Sequence, residues 1–121
     1  MKVPILKLKN ILLTSIPEEL TDRDAVRFQE DVLGKASEPG ADGIVIDITA
    51  LEVIDSFMAR LLNDTAEMVQ LLGLKAVICG MQPAVAYTLN EMGRRMIGVE
   101  TVLDLDRGFE KIQEMIAVDE G

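Results

Sequence analysis

The sequence predicts an α/β domain: a small mixed β-sheet packed with about four helices, in the order ββαβαβαβα. Three observations lead there. The runs Gly43 to Ile48 and Lys75 to Cys79 are nearly continuous apolar and β-branched residues, the pattern of strands buried on both faces of a parallel sheet. Each is followed by apolar residues at helical spacing. Ahead of them, two short strand-like runs flank Asn10 and form an antiparallel hairpin. Strand–helix–strand connections cross over right-handed and make the later strands parallel. With 121 residues, one domain over 1–121 is expected.

The elements follow in order. Val3 to Lys9 alternates as a half-buried strand opened by Pro4, and Asn10 reverses the chain into Ile11 to Ser15. Pro17, Glu18 and Glu19 leave that strand. Thr21, with Asp24 three residues on, is a short capping box. The helix it opens runs to about Ser37, turns Ala25, Phe28, Val32 and Leu33 inward, and stops at Glu38-Pro39-Gly40. After the strand Gly43 to Ile48 comes a short loop, then a helix from Ser56 to about Leu72. Its inward residues are Met58, Leu61, Leu62, Thr65, Val69 and Leu72, and Gly73 suits its C-terminal end.

Beyond the strand at Lys75 to Cys79, Gly80-Met81-Gln82 turns into a helix. Pro83 stands in its first turn, where a missing N–H costs nothing. Val85, Leu89 and Met92 face inward, and Gly93 or Gly98 ends the helix. Thr101 to Leu103 is a last strand. Asp104 or Asp106 caps a final helix with Phe109, Ile112 and Met115 inward. The acidic tail Val118 to Gly121 is expected to fray.

Composition removes several function classes. The net charge is −9. That opposes binding to nucleic acid or an anionic membrane, since each phosphate contact needs Lys or Arg. It favours solubility and partners with basic patches. No apolar run approaches the roughly 18 residues of a membrane span, and the N-terminus lacks a signal peptide. The lone Cys79 reads as a buried strand thiol in a reducing compartment, so a cytoplasmic location is expected. There is no histidine. This removes Ser-His-Asp and Cys-His catalysis and the usual zinc sites. An enzyme here would have to work with carboxylates, Lys, Arg or a borrowed metal; no cofactor or resident metal is expected.

In open parallel sheets, functional groups gather beyond the carboxyl ends of the strands. Asp47, Asp55, Ser56, Gly80, Met81, Gln82 and Asp104 all fall there. The stretch Ile54-Asp55-Ser56-Phe57-Met58-Ala59-Arg60 opens the central helix. A hydroxyl at that point serves as a helix cap or as a phosphoacceptor. Asp55 or Ser56 fills the capping role. A phosphate on Ser56 meets free N–H groups and the positive end of the helix dipole, with Arg60 one turn later to help hold it and Asp55 opposing it. Catalysis by Ser56 fails for want of a base.

Asp47 at a strand end would suit a phosphoacceptor receiver domain. The acidic pair such domains need for Mg²⁺ is replaced by Leu8-Lys9-Asn10. Gly80-Met81-Gln82-Pro83 lacks the spaced glycines of a phosphate cradle and reads as a strand-to-helix turn. Arg94-Arg95 is a basic pair on an acidic chain, normally solvated. Phe57 and Met81 flank the rim, where an exposed apolar group marks a protein contact.

With the Asp-Ser pair opening the helix after the third strand, this order resembles the STAS domain of anti-sigma-factor antagonists. The segment Leu72-Gly73-Leu74-Lys75-Ala76-Val77-Ile78-Cys79-Gly80-Met81-Gln82-Pro83-Ala84-Val85-Ala86-Tyr87-Thr88-Leu89 is similar to the stressosome branch. Within that branch it resembles the RsbS-type scaffolds. Simple antagonists follow the serine with Ser or Thr and Gly-Leu-Gly. Here Phe57, Met58, Ala59 and Arg60 follow, as in stressosome proteins.

The resemblance implies a non-enzymatic scaffold that sequesters an RsbT-like serine kinase and releases it once Ser56 is phosphorylated. It also implies a large hetero-oligomer with a longer, sensory RsbR-like paralogue, and a PP2C-type phosphatase that resets the site. Thr88 is a second candidate for phosphorylation. The partner-binding rim is expected at Asp55, Phe57, Met58, Arg60, Met81 and Gln82. The alternative is a simple anti-sigma-factor antagonist or another STAS binding module, nucleotide- or transporter-associated.

Overall fold

The computed structural model describes residues 1–93 and 96–120. The basic pair Arg94-Arg95 and the terminal Gly121 lie outside the described residues. The elements are β1 (Ile5–Leu8), β2 (Ile11–Ser15), α1 (Asp22–Ala36), β3 (Gly43–Asp47), α2 (Ser56–Leu71), β4 (Lys75–Cys79), α3 (Pro83–Glu91), β5 (Glu100–Val102) and α4 (Leu105–Glu120). This is the expected order. The sheet runs β1-β2-β3-β4-β5; β1 is antiparallel to β2 and every later pair is parallel.

Alternation within the strands divides the core. Leu12, Ile44, Ile46, Ala76 and Ile78 point to one face, where they pack with Phe28 and Val32 of α1, Leu62 and Val69 of α2, and Val85 and Leu89 of α3. Ile11, Val45, Val77 and Cys79 point to the other face, against Ile112 and Ile116 of α4. Burial on both faces is why β3 and β4 read as unbroken apolar runs. Gly108 lets α4 lie close, since a Cβ there would stand 2.9 Å from Val45 Cγ1.

At the sheet's margin, Lys9 and Asn10 form a two-residue turn between the paired residues Leu8 and Ile11, with Lys9 at φ +57°. Tight hairpins demand positive φ, and this is the one non-glycine residue among those described that adopts it. Leu6 and Leu8 pair with Leu13 and Ile11 but stay largely exposed, because α4 packs over β3, β4 and β5.

Thr21 caps α1 as expected, its hydroxyl accepting the Asp24 backbone N–H at 3.1 Å. Gly93 ends α3, also as expected: the helix runs to Glu91 with Met92 as its C-cap, and Gly93 follows at φ +65°. Three expectations change. Leu72 is the C-cap of α2 and is exposed, because the chain leaves the helical face there. β5 starts one residue earlier than expected and excludes Leu103, whose neighbour Asp104 begins the cap of α4. The acidic tail is helical through Glu120, held to β4 by a 2.9 Å ion pair between Asp119 and Lys75.

Candidate functional site: the rim at the carboxyl ends of the strands

The parallel register aligns Ser15, Asp47 and Cys79 at the ends of β2, β3 and β4. Polar groups at strand ends have no further ladder to join, so they bond to one another. Ser15 Oγ donates to Asp47 Oδ2 at 3.2 Å. The other carboxylate oxygen, Oδ1, accepts from Thr49 N at 3.0 Å and from Thr49 Oγ1 at 2.6 Å. Thr49 lies against Gly80, which has φ +77°; a Cβ at that glycine would overlap the Thr49 hydroxyl. From the far side of the turn, Gln82 Nε2 donates to the Thr49 carbonyl at 2.8 Å.

Ser56 is reached through the loop after Thr49. Leu51 is buried, its N–H bonded to Ile48 O at 3.0 Å. Val53 is exposed and Ile54 half-buried. Asp55 is the N-cap of α2, accepting the Met58 N–H on Oδ1 at 2.8 Å. This decides between the two candidate caps. Ser56 is the first residue of the helix and is exposed, and its hydroxyl makes no hydrogen bond among the described residues.

The other expected rim residues separate. Phe57 is half-buried against Ala25, Met58 and Leu61. Met58 is only 9% exposed and packs in that same cluster, so its side chain belongs to the core rather than to the surface of the rim. Arg60 is exposed and lines a shallow cleft of about 170 Å³ with Phe57, Asp64 and, across it, Val26 and Gln29 of α1. It forms no ion pair among the described residues. Met81 is half-buried against the main core. Thr88 sits mid-helix on α3, half-buried, its hydroxyl donating to Ala84 O at 3.1 Å, a common resting place for a helical threonine.

Ser15 and Thr49 are rim members that sequence reasoning missed. A threonine two residues after a strand-end aspartate is the local signal for the Asp47–Thr49 turn. Ser15 needed the strand order. Asp104 caps α4, accepting the Arg107 N–H at 2.9 Å and the Arg107 guanidinium at 2.6 Å. Burial, then the Asp47 carboxylate and, to a smaller extent, Asp104 push the Cys79 thiol up to about 12, so it stays protonated and unreactive at neutral pH. Among the described residues, no group of three or more His, Cys, Asp or Glu is arranged to hold a metal ion, and no helix is long and apolar enough to cross a membrane.

The STAS domain family model matches residues 2–106. The RsbS protein of Moorella thermoacetica, solved as a serine-to-glutamate variant, is 39% identical with a TM-score of 0.86, over 95% of this chain and 97% of that one. A chain of the stressosome, described as a signal integration and transduction hub, is 41% identical with a TM-score of 0.82, over 93% and 97% of the two chains. The RsbT co-antagonist protein RsbRA of Bacillus subtilis is 27% identical over 107 residues, 88% of this chain but 39% of that protein. This chain thus spans well under half the length of that relative. The chain belongs to the STAS domain family, in its RsbS-type stressosome branch. This is a family of stress-signalling scaffolds and anti-sigma-factor antagonists, generally non-enzymatic.

Proposed function

We propose that this chain, acting as a single STAS domain, is a non-enzymatic scaffold that captures an RsbT-like serine kinase and releases it when Ser56 is phosphorylated. The observation that carries the reading is the division of labour at the start of α2. Asp55 caps the helix, and the neighbouring Ser56 hydroxyl is exposed and unbonded among the described residues. A hydroxyl needed as the cap would be lost to the fold on modification; this one is free to be modified. A phosphate there meets the positive end of the α2 dipole, and Arg60, which has no ion-pair partner among the described residues, stands one turn on.

Phosphorylation adds about two negative charges to an edge that already carries Asp47, Asp55 and Asp104. Like charge and desolvation then raise the kinase's off-rate. The contact surface consists of Asp55, Ser56, Phe57, Arg60 and Met81, while the Gln82 amide is engaged by the Thr49 carbonyl. A longer RsbR-like paralogue co-assembles with the chain in a large cytoplasmic hetero-oligomer, as likeness to a stressosome chain and to RsbRA supports. A PP2C-type phosphatase resets Ser56, and Thr88 is a secondary acceptor.

The test is intact mass after incubation with an RsbT-like kinase and ATP, paired with kinase pull-down. One phosphate on wild type and none on Ser56→Ala is expected. Ser56→Ala retains the kinase in the presence of ATP, and Ser56→Asp captures it weakly. Capture and release unchanged in both variants would place the switch elsewhere.

A further inference from the structure

We infer that Gln82 is a positioning residue for the Ser56 hydroxyl, acting through the Thr49 carbonyl. The inference rests on the function proposed above and adds to it how the acceptor is held in place. Gln82 is the N-cap residue of α3, with extended backbone at φ −86°, ψ 155°, yet its side chain makes no capping bond to its own helix. It spans instead to a separate loop and donates to Thr49 O at 2.8 Å. Leaving a helix N-terminus without a side-chain cap is a local cost, and the bond across the turn is what the side chain makes in its place.

That bond completes a three-sided anchorage. Asp47 holds the Thr49 N–H and hydroxyl, Gly80 receives the Thr49 side chain, and Gln82 holds the Thr49 carbonyl. Ser15 in turn fixes the Asp47 carboxylate. Thr49 is therefore tied to β2, β3 and the turn after β4. Downstream, Leu51 is buried, and only Glu52, Val53 and Ile54 separate it from the cap Asp55. With so short a tether, the placement of Thr49 sets where α2 begins and where Ser56 is presented. A kinase accepts a hydroxyl only within a narrow range of positions, so loosening Thr49 slows transfer without removing a partner contact.

The experiment compares wild type with Gln82→Met, which keeps the side chain's bulk and deletes the donor. Amide hydrogen exchange and the kinetics of Ser56 phosphorylation by an RsbT-like kinase are measured on both. Exchange at Thr49 and Leu51 should quicken about fivefold, the scale of one hydrogen bond, with Ile46 and Ile78 unchanged. The kcat for Ser56 phosphorylation should fall about threefold to tenfold at unchanged KM. Gln82→Ala, which deletes the same bond, must reproduce both effects. Exchange that does not change at Thr49 and Leu51 overturns the inference. So does faster exchange with an unaltered kcat, or a rise in KM alone, the mark of a direct partner contact. A wild-type chain that the kinase leaves unmodified at Ser56 overturns the functional reading and this inference with it; the other failures appear only in the variants.

Discussion

The Asp55 carboxylate accepts the backbone N–H of Met58 at 2.8 Å, and that bond frees the next residue, Ser56, from any structural duty. Helix caps of this kind contribute about 1 kcal/mol. Asp55→Ala should therefore lower the melting temperature by about 4 °C, while Asp55→Asn, which retains an accepting oxygen, should stay within about 1 °C. Thermal unfolding followed by circular dichroism checks both.

Ser56 should tolerate substitution. Its hydroxyl is exposed and makes no hydrogen bond among the described residues, so Ser56→Ala should change stability by less than about 0.5 kcal/mol. Ser56→Asp gains from the helix dipole and loses to the adjacent Asp55, and should likewise remain near wild type. Urea denaturation of both variants makes the capture assay interpretable: a Ser56→Asp chain that unfolds early would show that the serine carries structure after all.

Gly80 is predicted to be intolerant for two separable reasons. Its φ of +77° is strained for any other residue, and a Cβ would overlap the Thr49 hydroxyl. Gly80→Ala should cost about 2 kcal/mol or more. Repeating it in a Thr49→Ala background removes the hydroxyl overlap but leaves the strain and the close approach to the residue 49 Cβ and Cα, at 2.9 and 3.0 Å. The cost should then fall by at least about 0.5 kcal/mol in a double-mutant cycle, measured by urea denaturation.

Cys79 gives the pH prediction. Its pKa is raised in the folded chain from an ordinary 9.0 to about 12. Below pH 9 the thiol is protonated in both states and its burial contributes in full. Between pH 9 and 12 the unfolded chain releases the proton and the folded chain does not, so stability falls by about 1.4 kcal/mol per pH unit from this group. Urea midpoints from pH 8 to 10.5 should fall more steeply in wild type than in Cys79→Ala. Native protein at pH 8 should also resist thiol reagents that modify the unfolded chain at once.

Much of the fold was legible because its strongest signals are local. The β-branched runs at Ile44 and Val77, the Thr21–Asp24 box and Pro83 each specify their element without reference to the rest of the chain. The misread positions are those where neighbours decide. Leu72 has helical spacing but lies where the chain turns away, and Leu103 has strand propensity but sits beside the α4 cap. At the site, Asp55 and Ser56 are both good capping residues, so composition left the choice open and first-turn geometry made it. Met58 lies two residues after the serine, which suggested the rim; two 100° steps of the helix turn it inward. The Ser15–Asp47–Thr49–Gln82 network joins residues up to 67 positions apart, and only the strand order makes them neighbours.

The free margin of the sheet carries a further consequence. β1 presents unpaired backbone beside exposed leucines, the kind of edge on which proteins zip together into fibres. Here Pro4 precedes the strand and Lys7 and Lys9 punctuate its end. Two copies meeting margin to margin would bring lysine against lysine, with no carboxylate within the first seventeen residues to relieve the repulsion. The margin is thereby guarded against its own kind. Lysines at the edge make strand addition by a second copy less favourable.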